Sequence, residues 1–258
     1  MIGGARRLGG VVALDLAAHG ADLAISTRSA TADAAATRAA VHDLGRRCAV
    51  VSGDVVAPDA AAALVAAAAD ALGGLDVLVY AASGPFRPAA PQDIDPADWQ
   101  ASFDVVARGF FLAACAARER FAGAAAGHRA GEPAGRSPGE PARGVIVALT
   151  DTLGVVPSAA FAGHGAAKAA QIMLVASLAK AWAPDGVRVC GVAPGPVDLP
   201  DDPRRQATVR AAARTAIGRL VAPAEIARAV RFVIACDALT GVNLPVEGGA
   251  LLGPITPQ

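Results

Sequence analysis

The sequence predicts an α/β protein built around a parallel sheet, and three observations support this fold class. Short apolar runs bounded by turn residues alternate with longer helical stretches along the chain. The helical stretches are long enough to cross over a sheet, which is the connection that parallel strands require. The short runs are apolar at successive positions, as expected of strands that are covered on both faces.

The elements can be assigned in chain order. Strands are predicted at residues 22–26, 48–52, 76–80, 145–150, 187–192 and 242–246. Helices are predicted around residues 8–19, 31–44, 58–72, 96–122, 157–183 and 222–235. Residues 123–144 repeat the letters G-E-P-A without any apolar period, which predicts a disordered insertion. We expect residues 1–258 to form a single domain around one sheet.

The composition favours a protein that acts on small molecules. Hydrophobic residues make up 54% of the chain and aromatic residues only 4%, so the core must consist of small aliphatic side chains. The 23 basic and 23 acidic residues cancel without forming long runs, which argues against a nucleic-acid partner.

No apolar stretch is long enough to span a membrane, and a cytoplasmic location is expected. No metal site and no disulfide framework are predicted, because no C-x-x-C motif contains Cys48, Cys115, Cys190 or Cys236.

A glycine-rich loop leads into the first predicted helix. Residues 1–9 read M-I-G-G-A-R-R-L-G and are followed at once by an apolar helical stretch. Glycine has no Cβ, so such a loop lets backbone N–H groups and a helix N-terminus approach a pyrophosphate. Because further strands follow at the spacing of βαβ units, the loop predicts dinucleotide binding.

This loop resembles the fingerprint T-G-x-x-x-G-x-G of the short-chain dehydrogenase/reductases. Gly3 and Gly9 match, Ile2 stands at the Thr position, and Arg7 replaces the middle glycine as in the T-G-x-x-x-R-x-G variant of pteridine reductases. The resemblance extends over nearly the whole chain and implies a doubly wound Rossmann sheet in three layers. The implied strand order is 3-2-1-4-5-6-7, and the helices around 96–122 and 157–183 are implied to form a homodimer or homotetramer.

In this family a first strand precedes the fingerprint and lies in the middle of the sheet. That strand is almost entirely absent before Gly3. Its loss would leave backbone groups of the neighbouring strands unpaired in the core. We therefore expect the natural protein to begin upstream of Met1.

The resemblance also implies which residues bind the cofactor. A carboxylate at the end of the second strand would select NAD(H), whereas this chain has Ser26-Thr27-Arg28-Ser29 there. Arg28 together with Arg6 or Arg7 could bind a 2′-phosphate, which favours NADP(H) over NAD(H). Asp54 matches the aspartate that contacts the adenine. The other positions implied to line the cofactor are Gly3, Leu8, Gly9, Ser29, Ala82, Ser83, Lys168, Pro194, Gly195 and Val197.

The catalytic positions depart from the family pattern Y-x-x-x-K. Lys168 matches the family lysine, but His164 stands at the tyrosine position four residues earlier. Enoyl reductases of the same superfamily use a longer spacing, which falls on Phe161. The tyrosine of this chain is Tyr80, which belongs to a different predicted strand. Neither spacing therefore supplies the usual proton donor.

Two further catalytic positions of the family are also altered. Asp151 stands at the position of the orienting serine, as in pteridine reductases, and Val106 stands at that of the helix asparagine. One interpretation is a replacement acid/base site of Asp151, His164 and Lys168, because imidazole titrates near neutrality. In helical register, His164 and Lys168 share one face.

We therefore expect an NADPH-dependent reductase of a carbonyl or activated double bond, with residues 198–220 as a lid over substrate. The alternative is a catalytically degenerate dinucleotide-binding subunit, or an enzyme that performs non-redox acid/base chemistry in the same pocket.

Overall fold

The computed structural model describes residues 1–29, 31–57, 59–84, 86–123, 143–199, 202, 205–212 and 215–252. Within them, the parallel strands are short; four are mostly buried, whereas those at residues 48–52 and 243–246 are only partly buried. The strands are β1 (Leu23–Thr27), β2 (Cys48–Ser52), β3 (Val77–Tyr80), β4 (Gly144–Leu149), β5 (Val187–Pro194) and β6 (Asn243–Val246).

Helices connect these strands. The α-helices are α1 (Arg7–Ala18), α2 (Ala32–Asp43), α3 (Ala60–Leu72), α4 (Pro96–Phe103), α5 (Gly109–Gly123), α6 (Ala162–Trp182), α7 (Arg205–Ala212) and α8 (Pro223–Ala235). A π-helical turn, Asp104–Arg108, joins α4 to α5. A single turn of 3-10 helix, Thr152–Gly154, follows β4.

A bridge of one residue stands where a central strand is expected. The strand order is β2-β1 on one side and β3-β4-β5-β6 on the other, and Ile2 pairs in parallel with both Ser26 of β1 and Tyr80 of β3. The N–H of Ile2 donates to the carbonyl of Val79 at 2.9 Å, and its own carbonyl accepts from Ala81 N–H at 2.8 Å. The doubly wound order 3-2-1-4-5-6-7 is thereby confirmed, with Met1 to Gly3 in the place of its first strand.

Two hydrophobic clusters cover the opposite faces of the sheet and create three layers. On one face, Val12 of α1 and Val230 of α8 pack against the strands and are fully buried. On the other face, Leu64 of α3, Phe110 of α5 and Val175 of α6 form the second cluster. Alanines along α5 and α6 let these helices approach the sheet closely, as the composition predicts.

The predicted elements agree with the structure except in detail. Every predicted strand is present with ends that differ by no more than two residues. The helix predicted over 157–183 begins only at Ala162, and the helix predicted over 96–122 contains the π-turn. The insertion predicted at 123–144 lies almost entirely outside the described residues. In the part of the chain that is described, no helix is long and apolar enough to cross a membrane.

Candidate active site

The predicted site residues come together at the edge of the sheet where the parallel strands end. Arg28 follows β1, Ala82 follows β3, Asp151 follows β4, and Gly195 follows β5. In open α/β sheets, ligands bind beyond this carboxyl edge, near the point where the strand order reverses. That reversal lies here at Ile2, between β1 and β3. The topology therefore assembles residues that are far apart in the sequence.

The glycine loop requires glycine at both positions that match the fingerprint. Gly3 has a positive φ of 77°, and a Cβ there would lie 2.9 Å from the backbone nitrogen of Ala82. A Cβ at Gly9 would lie only 2.1 Å from the carbonyl oxygen of Gly3. The loop thus packs its own backbone closely and keeps side chains away from the start of α1, as a phosphate cradle requires.

The N-terminus of α1 is free to receive an anion. Its N-cap, Arg6, makes no capping hydrogen bond through its side chain, and the first turn of the helix contains no acidic residue. The first N–H groups of a helix have no partner within the helix and favour negative charge. An uncapped helix start beside a glycine cradle fits a dinucleotide pyrophosphate.

The arginines near this loop differ in whether they have a salt-bridge partner. Arg7, at the position of the fingerprint's middle glycine, occupies a left-handed backbone conformation with a φ of 52°. Its guanidinium forms an ion pair with Asp202. Arg28 and Arg6 are both exposed, and neither has a salt bridge within the described ranges. Arg28, two residues from buried Ser26, is therefore the cation best placed to meet a 2′-phosphate, and Arg6 is the second.

Small residues form the rest of the predicted cofactor wall. Ala82 is half-buried, Ser83 is exposed, and Val197 is 9% exposed. A Cβ at Gly195 would collide with Glu247 at 2.5 Å, so the turn after β5 packs directly on the segment after β6. Asp54 is exposed and its Oδ1 accepts a hydrogen bond from Val56 N–H at 3.2 Å, an ordinary turn contact that leaves its other oxygen available. The structure also places Leu8 and Pro194 beside the loop and at the end of β5.

His164 and Asp151 lie side by side at the start of α6. Nε2 of His164 is 3.9 Å from Oδ2 of Asp151, which is ion-pair distance but longer than a hydrogen bond. The other carboxylate oxygen of Asp151 accepts from Leu153 N–H at 2.8 Å and thereby caps the 3-10 turn. His164 is 6% exposed, and its Nδ1 has no partner within the described residues. The imidazole is thus held in place but keeps hydrogen-bonding capacity for another group.

Lys168 lies one helical turn after His164 and is almost completely buried. Its Nζ donates to the carbonyl oxygen of Leu149 at 2.8 Å and to Oε1 of Gln171 at 3.1 Å. Burial lowers the pKa of Lys168 to about 8, while the negative charge of Asp151 acts in the opposite direction. The ammonium form is therefore still the main form at neutral pH, although it is much more acidic than an exposed lysine.

Tyr80 does not substitute for the missing tyrosine. Its side chain is fully buried at the end of β3, and its hydroxyl donates to the carbonyl oxygen of Val105 in the π-turn. Burial, and secondarily the charge of Asp54, raise the pKa of Tyr80 far above the usual value. A phenol so placed supports the π-turn instead of exchanging protons with a substrate.

Phe86 packs against both His164 and Phe161; sequence reasoning noted Phe161 only as the alternative tyrosine position and missed Phe86. The ring of Phe86 stacks on that of Phe161 at 4.3 Å between centroids and meets the His164 ring edge-on at 4.7 Å. The signal available in the sequence was weak, because Phe86 lies in an irregular loop whose path cannot be read from periodicity. Within the described residues, no group of three or more His, Cys, Asp or Glu side chains could hold a metal ion.

The chain matches known proteins over nearly its whole length. Residues 3–250 match the family model described as enoyl-(acyl carrier protein) reductase. The chain is 37% identical to cis-4-hydroxycyclohexanecarboxylate dehydrogenase of Sinomonas cyclohexanicum, over 96% of this chain and 93% of that protein. It is 31% identical to the peroxisomal 2,4-dienoyl-CoA reductase of Pongo abelii, over 97% of this chain and 82% of that protein.

A solved structure also matches this chain over nearly its whole length. A short-chain dehydrogenase from Burkholderia cenocepacia in complex with NADP superposes with a TM-score of 0.82 at 31% identity, covering 97% of this chain and 96% of that one. The glycine cradle, the doubly wound sheet and Lys168 are thus found in a chain whose relatives are oxidoreductases. This protein belongs to the short-chain dehydrogenase/reductase family of oxidoreductases.

Proposed function

We propose that this protein is an NADPH-dependent reductase of a carbonyl or activated double bond, in which His164 replaces the usual tyrosine. The observation that carries the proposal is the burial of His164 and Lys168 on one face of α6, next to Asp151 at the carboxyl edge of the sheet. Three ionisable side chains at such an edge are costly for folding and are typical of a site that moves protons.

In such a reduction, different residues of the chain would bind the cofactor and transfer the proton. The glycine cradle and the N-terminus of α1 would hold the pyrophosphate, and Arg28 with Arg6 would hold the 2′-phosphate. A nicotinamide cofactor held there would supply the hydride for such a reduction. His164 would donate the proton that the substrate oxygen or neighbouring carbon needs, and Asp151 would stabilise the imidazolium before that transfer. Lys168 would hold the nicotinamide ribose.

The names of two relatives, together with the side chains beside His164, support a particular class of substrate. One relative is named for the oxidation of an alicyclic hydroxy acid and another for the reduction of a conjugated thioester. The stacked rings of Phe86 and Phe161 beside His164 add an apolar wall, which suits a cyclic or unsaturated carbon skeleton better than a polyhydroxylated one. The preference for NADP(H) is supported by the NADP complex of a relative and by Arg28.

Two features of the surroundings fit this proposal. Residues 198–220 would form the lid, since the segment is closed at its base by parallel pairing of Val197 with Val221 and reaches the glycine loop through the ion pair of Asp202 with Arg7. A homodimer or homotetramer would bury Phe111 of α5 and Met173 of α6, which are 40% and 67% exposed. A cytoplasmic location stays a prediction.

One observation favours the alternative of a dinucleotide-binding protein without reductase activity. The contact between His164 and Asp151 is 3.9 Å, too long for the hydrogen bond that usually orients a catalytic imidazole. A substrate or cofactor could shorten it, because catalytic hydrogen bonds often tighten only in the complex.

The test separates binding from turnover. NADPH fluorescence would be titrated with wild type, His164→Ala and, as a control, His42→Ala, which removes an exposed histidine of α2. The same variants would be screened for NADPH oxidation with cyclic ketones and conjugated thioesters. We expect all three to bind NADPH and only His164→Ala to lose turnover, by about a hundredfold or more. Binding without turnover in wild type would support the alternative, and unchanged turnover in His164→Ala would exclude this histidine as the acid.

A further inference from the structure

The buried face of α6 carries an amide that the catalytic scheme above does not use. His164, Lys168 and Gln171 follow one another along this face, which continues with the apolar residues Val175 and Leu178. Gln171 has no solvent exposure, and its Nε2 has no hydrogen-bond partner within the described residues. A leucine would fill the same kind of position without burying an unpaired N–H group, so Gln171 costs stability unless it has another role.

The contact of Gln171 with Lys168 indicates that role. Its Oε1 accepts from Nζ of Lys168 at 3.1 Å, and the carbonyl oxygen of Leu149 accepts from the same nitrogen at 2.8 Å. The amide orientation is fixed by chemistry, because the reversed amide would point its NH₂ group at an ammonium. A lysine ammonium has three N–H donors, so two acceptors of the protein leave one donor for a bound molecule.

We propose that Gln171 is a positioning residue that holds Lys168 as an ammonium, with one N–H directed away from the protein. The amide dipole replaces part of the solvation that burial removes from Nζ. The proposal rests on the proposed function only in assigning the free N–H to the cofactor; the effect of the amide on Lys168 itself is independent of any reaction.

The charged groups around Lys168 determine how much the amide oxygen of Gln171 contributes to the stability of the ammonium form. Asp151 is the carboxylate whose field acts on Lys168, and it also faces His164. On the π-turn that packs on α6, Asp104 and Arg108 pair with each other at 3.8 Å. Burial already lowers the pKa of Lys168 to about 8. Loss of the amide oxygen would therefore bring the ammonium close to half-deprotonation at neutral pH.

The test measures the protonation of Lys168 without any turnover. Lys168 and Lys180 are the two lysines of the chain, and Lys180 is exposed, so protein labelled with carbon-13 in lysine gives one buried and one reference side-chain signal. The Cε shift of Lys168 would be followed against pH in wild type, Gln171→Met and Gln171→Glu. Val175→Ala serves as the control, since it removes fully buried packing from the same helix face without touching Nζ.

The expected shifts have opposite signs. Gln171→Met should lower the pKa of Lys168 by about one pH unit, a tenfold change in the ratio of amine to ammonium, and Gln171→Glu should raise it. Val175→Ala should leave it unchanged. If the titration of Lys168 is the same in Gln171→Met as in wild type, or moves equally in Val175→Ala, Gln171 is a packing residue only. Should Gln171→Met not fold, an unchanged or lowered pKa in Gln171→Glu would equally overturn the proposal.

The kinetic readout keeps this inference apart from the proposed function. In an active enzyme, Gln171→Met should move the alkaline limb of the kcat profile to lower pH by the same amount as the Lys168 titration, and activity should recover on acidification. A shifted titration in a protein that turns over no substrate would support the role of Gln171 and count against the reductase. Normal turnover together with an unshifted titration of Lys168 would support the reductase and count against the role of Gln171.

Discussion

The carbonyl oxygen of Gly3 packs so closely on Gly9 that a methyl group at position 9 would lie 2.1 Å from it. Gly9→Ala should therefore displace the loop and reduce NADPH affinity by at least tenfold. Gly10→Ala is the matched control, because a Cβ there meets its nearest neighbour at 3.7 Å, an ordinary contact. Gly10→Ala should bind normally and gain up to about 1 kcal/mol of stability from helix propensity. Equal affinity of both variants for NADPH would contradict the cradle.

The pH dependence of stability should reveal the buried ammonium of Lys168. Its pKa is about 8 in the folded protein and 10.5 when unfolded, so between these values the unfolded chain binds more protons and the free energy of unfolding rises with pH. Over that range this group should contribute about 3 kcal/mol. Chemical denaturation of wild type and Lys168→Met at pH 8 and at pH 10.5 isolates the effect, since other groups titrate in both. If the free energy of unfolding changed equally in the two proteins between these pH values, folding would not lower the pKa of Lys168.

The sequence predicts the sheet well because parallel strands covered on both faces are continuously apolar. It predicts Lys168 and His164 as candidate site residues only through their resemblance to the Y-x-x-x-K pattern, whose spacing places both on one helix face. The π-turn Asp104–Arg108 could not be predicted, since it is stabilised by a distant hydroxyl, that of Tyr80 bonded to Val105. The role of Gln171 was readable in principle, because it lies on the apolar face of a predicted helix. The ion pair of Arg7 with Asp202 depends on tertiary geometry alone.

Substitution of the buried Arg188 of β5 should lower the stability of the protein more than substitution of an arginine at the surface. Its buried guanidinium donates to the carbonyl oxygens of Val233 at 2.9 Å and Leu239 at 3.0 Å, near the end of α8. Arg188→Met leaves these oxygens without that donor and should lower the free energy of unfolding by about 2 to 4 kcal/mol. Arg231→Met, which breaks a partly exposed ion pair with Asp15, should cost about 1 kcal/mol or less. Similar losses in urea denaturation would contradict this difference.

Acid should weaken the start of α8 through Glu225. Its carboxylate accepts from the guanidinium of Arg219 at 2.8 Å and from Ala222 N–H at 2.8 Å, and these contacts lower its pKa from 4.5 to about 2. A depressed pKa stabilises the folded state above pH 4.5, and this contribution is lost as pH falls toward 2. The stability difference between wild type and Glu225→Gln should therefore shrink between pH 5 and pH 2. A difference that stays constant over this range would show that the carboxylate is not held by these donors.

Cofactor choice should depend on Arg28 more than on Arg7. Arg28 is exposed just beyond β1 and has no salt bridge within the described residues, whereas the guanidinium of Arg7 is already bound to Asp202. A hydrogen bond to a charged group contributes about 1.5 to 3 kcal/mol, so Arg28→Ala should weaken NADPH binding by about ten- to a hundredfold. NADH has no 2′-phosphate, and its affinity should stay the same.

A matched control removes an equal charge elsewhere. Arg120 lies near the end of α5, at the opposite edge of the sheet from the strand ends, and pairs with Asp70 at 3.1 Å. Arg120→Ala should leave the affinities for both nucleotides unchanged, because the effect of Arg28 is local and not one of net charge. Fluorescence titrations of the three proteins with both nucleotides give the comparison. If Arg28→Ala lowered both affinities equally, the arginine would contact a part that the two cofactors share, and the 2′-phosphate would have to be recognised elsewhere.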